Sequence, residues 1–248
     1  MYKPNNGGGP PQLDFTEGVF IDYRAFDSQN ITPIYEFGFG LSYTSFSYSN
    51  LTVTKASAGA YTPASGMSAA APTFGNYSTN VNDYLFPSSN FPHVPLYIYP
   101  YLNTTDEKTA TGDPNYGETS DKFLPDGATD SSPQPILPAG GAPGGNPQLY
   151  DVLYTVTATI SNTGKLDGEE VPQVYVSLGG ANQPKVVLRG FDRLSIAAGK
   201  SITFSADLMR RDLSNWDPIS QNWVIASEEK MVYVGPSSRN LPLSQTLS

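Results

Sequence analysis

The chain has 248 residues, of which 38% are hydrophobic and 15% charged, and Gly (23) and Pro (22) together make up about 18% of it. Pro breaks helix interiors and Gly weakens them, so a helical bundle is excluded and short strands joined by much turn are favoured. Fourteen basic against 23 acidic residues leave −9, the wrong sign for an electrostatic nucleic-acid binder. No apolar run reaches the roughly 18 residues of a membrane span. Zero Cys removes disulfides and thiolate chemistry, and a single His, His93, leaves little room for a Ser-His-Asp triad.

Residues 1 to 45 begin with a Gly/Pro-rich stretch that has no signal-peptide apolar core. Val19-Phe20-Ile21 is a short continuous apolar run, which predicts a strand covered on both faces. The run has no neighbouring strand or helix in its own segment, so it reads as an orphan from something larger. Asp22, set between Ile21 and Tyr23, is expected to be partly buried and paired with Arg24 or an upstream cation. An aromatic-glycine string follows, Tyr35-Glu36-Phe37-Gly38-Phe39-Gly40-Leu41-Ser42-Tyr43. Gly38 and Gly40 lack the lysine and the strand-helix context of a phosphate loop.

A strand is predicted from Phe46 to Thr54. Residues 56–146 then hold 12 of the 22 Pro, 10 of the 23 Gly and six of the nine net negative charges. No regular period runs through them, yet they carry seven Tyr, including the cluster Tyr97, Tyr99 and Tyr101. A segment of this length and composition reads as an insertion whose aromatics pin it to another surface or offer a binding platform. His93, between two Pro within it, is expected to be structural.

From 149 to 239 the alternation is clean. Val152, Tyr154, Val156, Ala158 and Ile160 share one face, with Thr155, Thr157 and Thr159 on the other. Val174, Val176 and Leu178 alternate with Gln173, Tyr175 and Ser177, and Ile202, Phe204, Ala206 and Leu208 form a third set. Shorter strands are predicted at Trp223–Ala226 and Lys230–Gly235. About seven strands with regular turns make a mainly β, immunoglobulin-like two-sheet sandwich, running from 46 to 248 with 56–146 inserted.

Several side chains stand out as candidates. Trp223 alternates with Ile225 and is expected in the core, whereas Trp216 is the more open and could contact a polymer. Arg210 and Arg211 are expected to pair with Asp212, Asp207 or a neighbouring domain. Glu169 and Glu170, adjacent on a strand, should point to opposite faces as solvated turn residues, and Glu228 and Glu229 should face solvent. Four Asn-X-Ser/Thr acceptors, at Asn30, Asn50, Asn76 and Asn103, suggest an N-glycosylated, secreted parent.

Glu17–Arg24 and Tyr35–Phe46 resemble the end of the α/β-sandwich domain of fungal glycoside hydrolase family 3 β-glucosidases. Gly168-Glu169-Glu170-Val171-Pro172-Gln173-Val174-Tyr175-Val176-Ser177, with Leu188-Arg189-Gly190-Phe191 leading to Arg210-Arg211-Asp212-Leu213-Ser214-Asn215-Trp216, resembles that family's C-terminal fibronectin type III-like domain. The insertion is similar to the long loop of the secreted fungal members, as at Gln134–Gly141. The resemblance implies a parent that removes terminal β-D-glucosyl residues with retention, in cellulose and glucan degradation. Retention takes two carboxyl groups about 5 Å apart. The family's nucleophile is an Asp in a Ser-Asp-Trp context, a tripeptide missing from this sequence, and its acid/base Glu lies upstream of the part matched. No catalytic, cofactor or metal residue is therefore assigned, and the chain alone is expected to be inactive.

The implied partners are the parent's catalytic domains. The alternative is a stand-alone module that binds β-glucan, cellulose, lignin or a protein, with Trp216, Tyr97, Tyr99 and Tyr101 as the contact aromatics. With catalytic domains absent, residues 1–40 and much of 56–146 are expected to be cut first by proteases.

Overall fold

A computed structural model describes residues 15–69, 108–109, 127 and 130–247. The chain divides into two compact units, Met1–Leu13 with Ala69–Gln134, and Asp14–Ser68 with Pro135–Ser248. The second holds almost all the described residues, and everything below concerns it.

Among the described residues eleven strands occur in chain order: β1 (Phe46–Lys55), β2 (Val152–Asn162), β3 (Gly168–Glu170), β4 (Gln173–Ser177), β5 (Val187–Phe191), β6 (Leu194–Ile196), β7 (Ser201–Met209), β8 (Asn215–Asp217), β9 (Asn222–Val224), β10 (Lys230–Gly235) and β11 (Leu243–Leu247). Seven of them make two antiparallel sheets, β1-β2-β7 and β11-β10-β4-β5, while β3 pairs with β6 and β8 with β9. The β2–β7 register sets Ile160 opposite Ile202, Ala158 opposite Phe204 and Val156 opposite Ala206. In the other sheet Val232 faces Val176 and Val234 faces Val174. Val156, Ala158, Ile160, Phe204 and Leu208 of the first sheet and Val174, Val176, Val232 and Val234 of the second fill one core. Period-2 alternation produces this packing, since each strand sends every second side chain inward.

Asn162 closes one end of the sandwich. Its side chain is buried and donates to the carbonyls of Leu166 (2.8 Å) and Ile196 (2.9 Å). It also accepts from the Thr44 hydroxyl (2.7 Å) and the Gly164 N–H (3.0 Å), so all four of its bonds are made inside the protein.

The segment before β1 departs from expectation. Val19-Phe20-Ile21 is not a strand: residues 16–19 form a turn, and a short helix, α1 (Tyr23–Ser28), follows. Val19 is 49% and Ile21 46% exposed. An apolar run marks burial only when something covers it, and among the described residues no strand pairs with this run. Asp22 is exposed, with φ 53°, and makes no ion pair among the described residues.

The segment is nonetheless tied to the sandwich. The Tyr23 ring stacks on Phe37 (4.5 Å between centroids) and meets Tyr175 edge-on at 6.1 Å. The Leu188 N–H donates to the Tyr23 hydroxyl, the Ser238 N–H to the Phe37 carbonyl, and the Ser237 hydroxyl to Glu36. Arg239 donates to Asp27 and to the Ile31 carbonyl. Residues 15–45 thus form a strap across the outer face of β4, and that cover explains why Gln173 and Tyr175 are as buried as Val174 and Val176. Gly38, at φ 81°, passes so near Gln173 that any Cβ would collide with its amide, which donates to the Gly38 and Pro236 carbonyls. The expectation of early cleavage in 1–40 therefore meets a segment that is bonded at both ends from residue 23 onward. For residues 1–14 the expectation lies outside the described residues.

The two described ends of the insertion lie side by side. Ile136 and Ala64 donate to the carbonyls of Gly66 and Pro138, and Met67 forms a bridge with Pro135. Tyr61 donates to Asn222, and Arg210 to the Gly59 and Gln148 carbonyls.

Candidate functional site

The sandwich interior leaves no surface chemistry to exploit, so the candidate site is what the strap turns outward. Ile34 is 93%, Leu41 90% and Tyr43 98% exposed, with Phe15, Tyr35 and Phe39 exposed beside them in sequence. Tyr35 and Phe39 stack on each other at 5.2 Å rather than on the core. Isolated exposed apolar side chains are ordinary, whereas here they recur along some thirty residues of one segment.

Between strap and sandwich runs an open cleft of about 650 Å³, lined by Phe37, Phe39, Phe46, Tyr48, Glu170 and Phe191 among others. Three carboxylates reach it, and each is already engaged. Glu36 accepts from Ser237, Glu169 pairs with Arg193, and Glu170 accepts the Tyr48 hydroxyl at 2.5 Å. Glu170 is therefore a half-buried cross-strand acceptor rather than a solvated turn residue, and burial raises its pKa above the usual 4.5. The same burial, with the carboxylate alongside, pushes the Tyr48 hydroxyl well up. Glu169 and Glu170 leave β3 on opposite faces, so they do not confront one another across the cleft as retention chemistry requires. Among the described residues no group of three or more His, Asp or Glu side chains comes together as a metal site.

Trp216 on β8 is 42% exposed and meets Trp223 on β9 edge-on at 5.6 Å. The expectation of a core Trp223 fails: β9 is three residues long and pairs only with β8, so its alternation has no sheet to face. Trp223 is half-buried under the Arg211 guanidinium (5.0 Å), and Ile225 is exposed. Neither Arg210 nor Arg211 forms an ion pair with Asp207 or Asp212 among the described residues. Arg210 is buried over the Tyr61 ring, 3.7 Å from Asp151, while Asp207 accepts from Thr155 and Asp212 from the Met209 N–H. Glu228 and Glu229 are exposed as expected.

Of the glycosylation acceptors, Asn30 and Asn50 are exposed, both at positive φ (54° and 52°). Asn50 sits at a bulge where the β1–β2 register shifts between Ser49 and Thr52, a place Asn tolerates because its short polar side chain accepts left-handed backbone. Asn76, Asn103, His93 and the Tyr97, Tyr99, Tyr101 cluster lie outside the described residues.

The strap was the feature hardest to find from sequence. The signal available was the density of Phe, Tyr, Ile and Leu between 15 and 43, which reads equally as buried strand and as exposed contact surface.

Comparison with known proteins fits this geometry. Residues 170–238 match the fibronectin type III-like domain. Over its full length the chain is 60% identical to the probable β-glucosidase A of Emericella nidulans and 58% identical to the β-glucosidase A of Aspergillus kawachii, and it covers 28% of each. Among solved structures, the glycoside hydrolase family 3 β-glucosidase of Neurospora crassa superposes with a TM-score of 0.78 at 59% identity, over all of this chain and 30% of that one. The Chaetomium thermophilum β-glucosidase gives 0.76 at 57% identity, over 96% of this chain and 29% of the other. The chain spans under a third of the length of these relatives. It corresponds to the C-terminal, fibronectin type III-like portion of fungal glycoside hydrolase family 3 β-glucosidases.

Proposed function

We propose that the chain is the non-catalytic part of a larger secreted β-glucosidase that removes terminal β-D-glucosyl residues during cellulose and glucan breakdown. Its role is to buttress the catalytic domains. The observation that carries this reading is the strap: a run of large apolar side chains held in place on its inner side by Tyr23, Phe37 and Gln173 and left bare on its outer side. Fixing a bare apolar surface on a rigid support is what a domain interface needs, because little ordering entropy remains to be lost on docking. The carboxylates of the cleft are tied to Ser237, Arg193 and Tyr48, which leaves them to structural work.

Hydrolysis of an aryl β-glucoside by the purified chain tests the non-catalytic half of this reading. No turnover is expected, and a rate that persists through repurification overturns it. Exposed Asn30 and Asn50 support passage through a glycosylating secretory route. Peptide N-glycosidase should then increase the mobility of the native protein, and Asn30→Gln with Asn50→Gln should reduce that change.

A second reading rests on Trp216, whose indole is 42% exposed and of the kind that stacks on a sugar or phenolic ring. Retention of the chain on cellulose or lignin, lost in Trp216→Ala, would favour this polymer-binding role.

A further inference from the structure

A pocket of about 480 Å³, separate from the cleft, opens where the first part of the strap meets the sandwich. Asp27, Asn30 and Thr32 line it from the strap, and Lys185, Tyr233 and Leu241 line it from the sandwich. Its volume falls within the roughly 300–1,000 Å³ of sites that hold small ligands. Asn30 and Thr32 are also the first and third residues of the acceptor Asn30-Ile31-Thr32. The pocket wall therefore includes the residue to which a glycan would be joined.

The backbone fixes where such a glycan begins. Asp27 accepts from Arg239 Nε at 3.0 Å, and the Ile31 carbonyl accepts from the same guanidinium at 2.7 Å. The Ile31 N–H donates to the Phe26 carbonyl at 2.8 Å. Asn30 is thus bonded in place on both sides, exposed, and at φ 54°, a left-handed conformation that Asn tolerates. The lining suits a sugar ring, which has carbon-bound hydrogens on its faces and hydroxyls at its rim. Tyr233 and Leu241 supply apolar surface. Lys185 is exposed and forms no ion pair among the described residues, so its ammonium can donate to hydroxyls and to an acetamido carbonyl. The neighbouring helix α1 buries none of its own residues, so this end of the strap gains from a further tie.

We propose that this pocket seats the first N-acetylglucosamine of a glycan on Asn30, and that the seated sugar pins the strap to the sandwich. The proposal rests on the reading of a glycosylated parent and adds where the first sugar lies and what it does. The glycan comes from a lipid-diphosphate-linked oligosaccharide. The Asn30 amide nitrogen bonds to the sugar's anomeric carbon, the bond from that carbon to the diphosphate oxygen breaks with its electron pair staying on oxygen, and one amide proton passes to a base of the transferase. A sugar attached at the pocket wall then meets its site intramolecularly, so weak contacts suffice to hold it.

The test uses the chain secreted from yeast with Asn30 as its only acceptor, the others being removed by Thr52→Val, Ser78→Ala and Thr105→Val. Mass spectrometry of the Asn30 peptide reads occupancy. Three forms are melted: the full glycan, the glycan trimmed by endoglycosidase H to its first N-acetylglucosamine, and Thr32→Val, which keeps the Asn30 amide and takes no glycan. The first two should melt together and Thr32→Val about 3 °C lower, with faster amide exchange at 23–32. Made in bacteria, without glycan, the chains with Thr32 and with Val at that position should melt alike; a difference there would give the effect to the threonine and overturn the seat. A trimmed form that drops to the level of Thr32→Val overturns it as well, since the outer sugars then stabilise. Three equal melts with Asn30 occupied mean a pendant glycan: the seat fails and glycosylation stands. An unoccupied Asn30 sinks both. Tyr233→Ala should shrink the difference between the trimmed form and Thr32→Val to under about 1 °C, and Lys185→Ala, at an exposed position, should shrink it less. Because the difference is taken within each background, any general loss of stability cancels. A difference unchanged by both substitutions would place the sugar outside the pocket.

Discussion

The sandwich and the strap are built from the same kinds of side chain and use them in opposite ways. In the sandwich, Val156, Ile160, Phe204, Val232 and their neighbours are closed off from solvent, and the buried Asn162 has its bonds satisfied within the chain. In the strap, Tyr23 and Phe37 grip the sheet while Ile34, Leu41 and Tyr43 are bare, and Arg24 keeps a buried nitrogen without an acceptor. A region complete in itself shows apolar burial and polar satisfaction together. The outer side of the strap shows neither.

Mutations can break or sharpen that contrast. The largest effect should come from Phe204→Ala, which empties the center of the core and should cost about 3–5 kcal/mol in urea unfolding, with an unchanged slope. A loss under 1 kcal/mol would mean that the two sheets do not share one core. Asn162→Ala should cost about 2 kcal/mol, since it strips partners from two buried carbonyls and from Thr44 and Gly164 at once. Tyr23→Ala sharpens the comparison, as it should loosen the strap and spare the sandwich. Amide exchange should speed up at 23–39 and stay slow at 156–160; equal acceleration in both would show that strap and sandwich unfold as one.

The smallest effect is a pH dependence at Glu170. Its pKa is raised in the folded state by burial, so the folded protein holds that proton more tightly than the unfolded chain does. The group's contribution to stability is complete below about pH 4.5 and is lost as pH rises through the higher folded value. Glu170→Gln should flatten that part of the stability profile, and a mutant profile parallel to the native one would contradict the assignment.

How much of this could be read in advance varied with what covers each element. β2 and β7 were legible because each buries one face, and alternation reports a half-buried strand faithfully. The pattern was only half true for β4. Tyr175 was placed on the outer face, and it is there, but a strap from 150 residues earlier buries that face too. No local period encodes a cover that distant. Val19-Phe20-Ile21 failed for the complementary reason, because a run that awaits a partner looks in sequence like a run that has one. β9 failed through length: three residues carry too little periodicity to separate Trp223 on a surface hairpin from Trp223 in a core.

The central claim is that the bare side of the strap is an interface, and Ile34→Asp with Leu41→Asp tests it most directly when made both in this chain and in the whole enzyme. Melting of the chain should move by less than about 1 °C, because exposed side chains contribute little to its stability, whereas the whole enzyme should lose several degrees together with activity. An unchanged whole enzyme, or a chain that loses as much as the enzyme does, would contradict it.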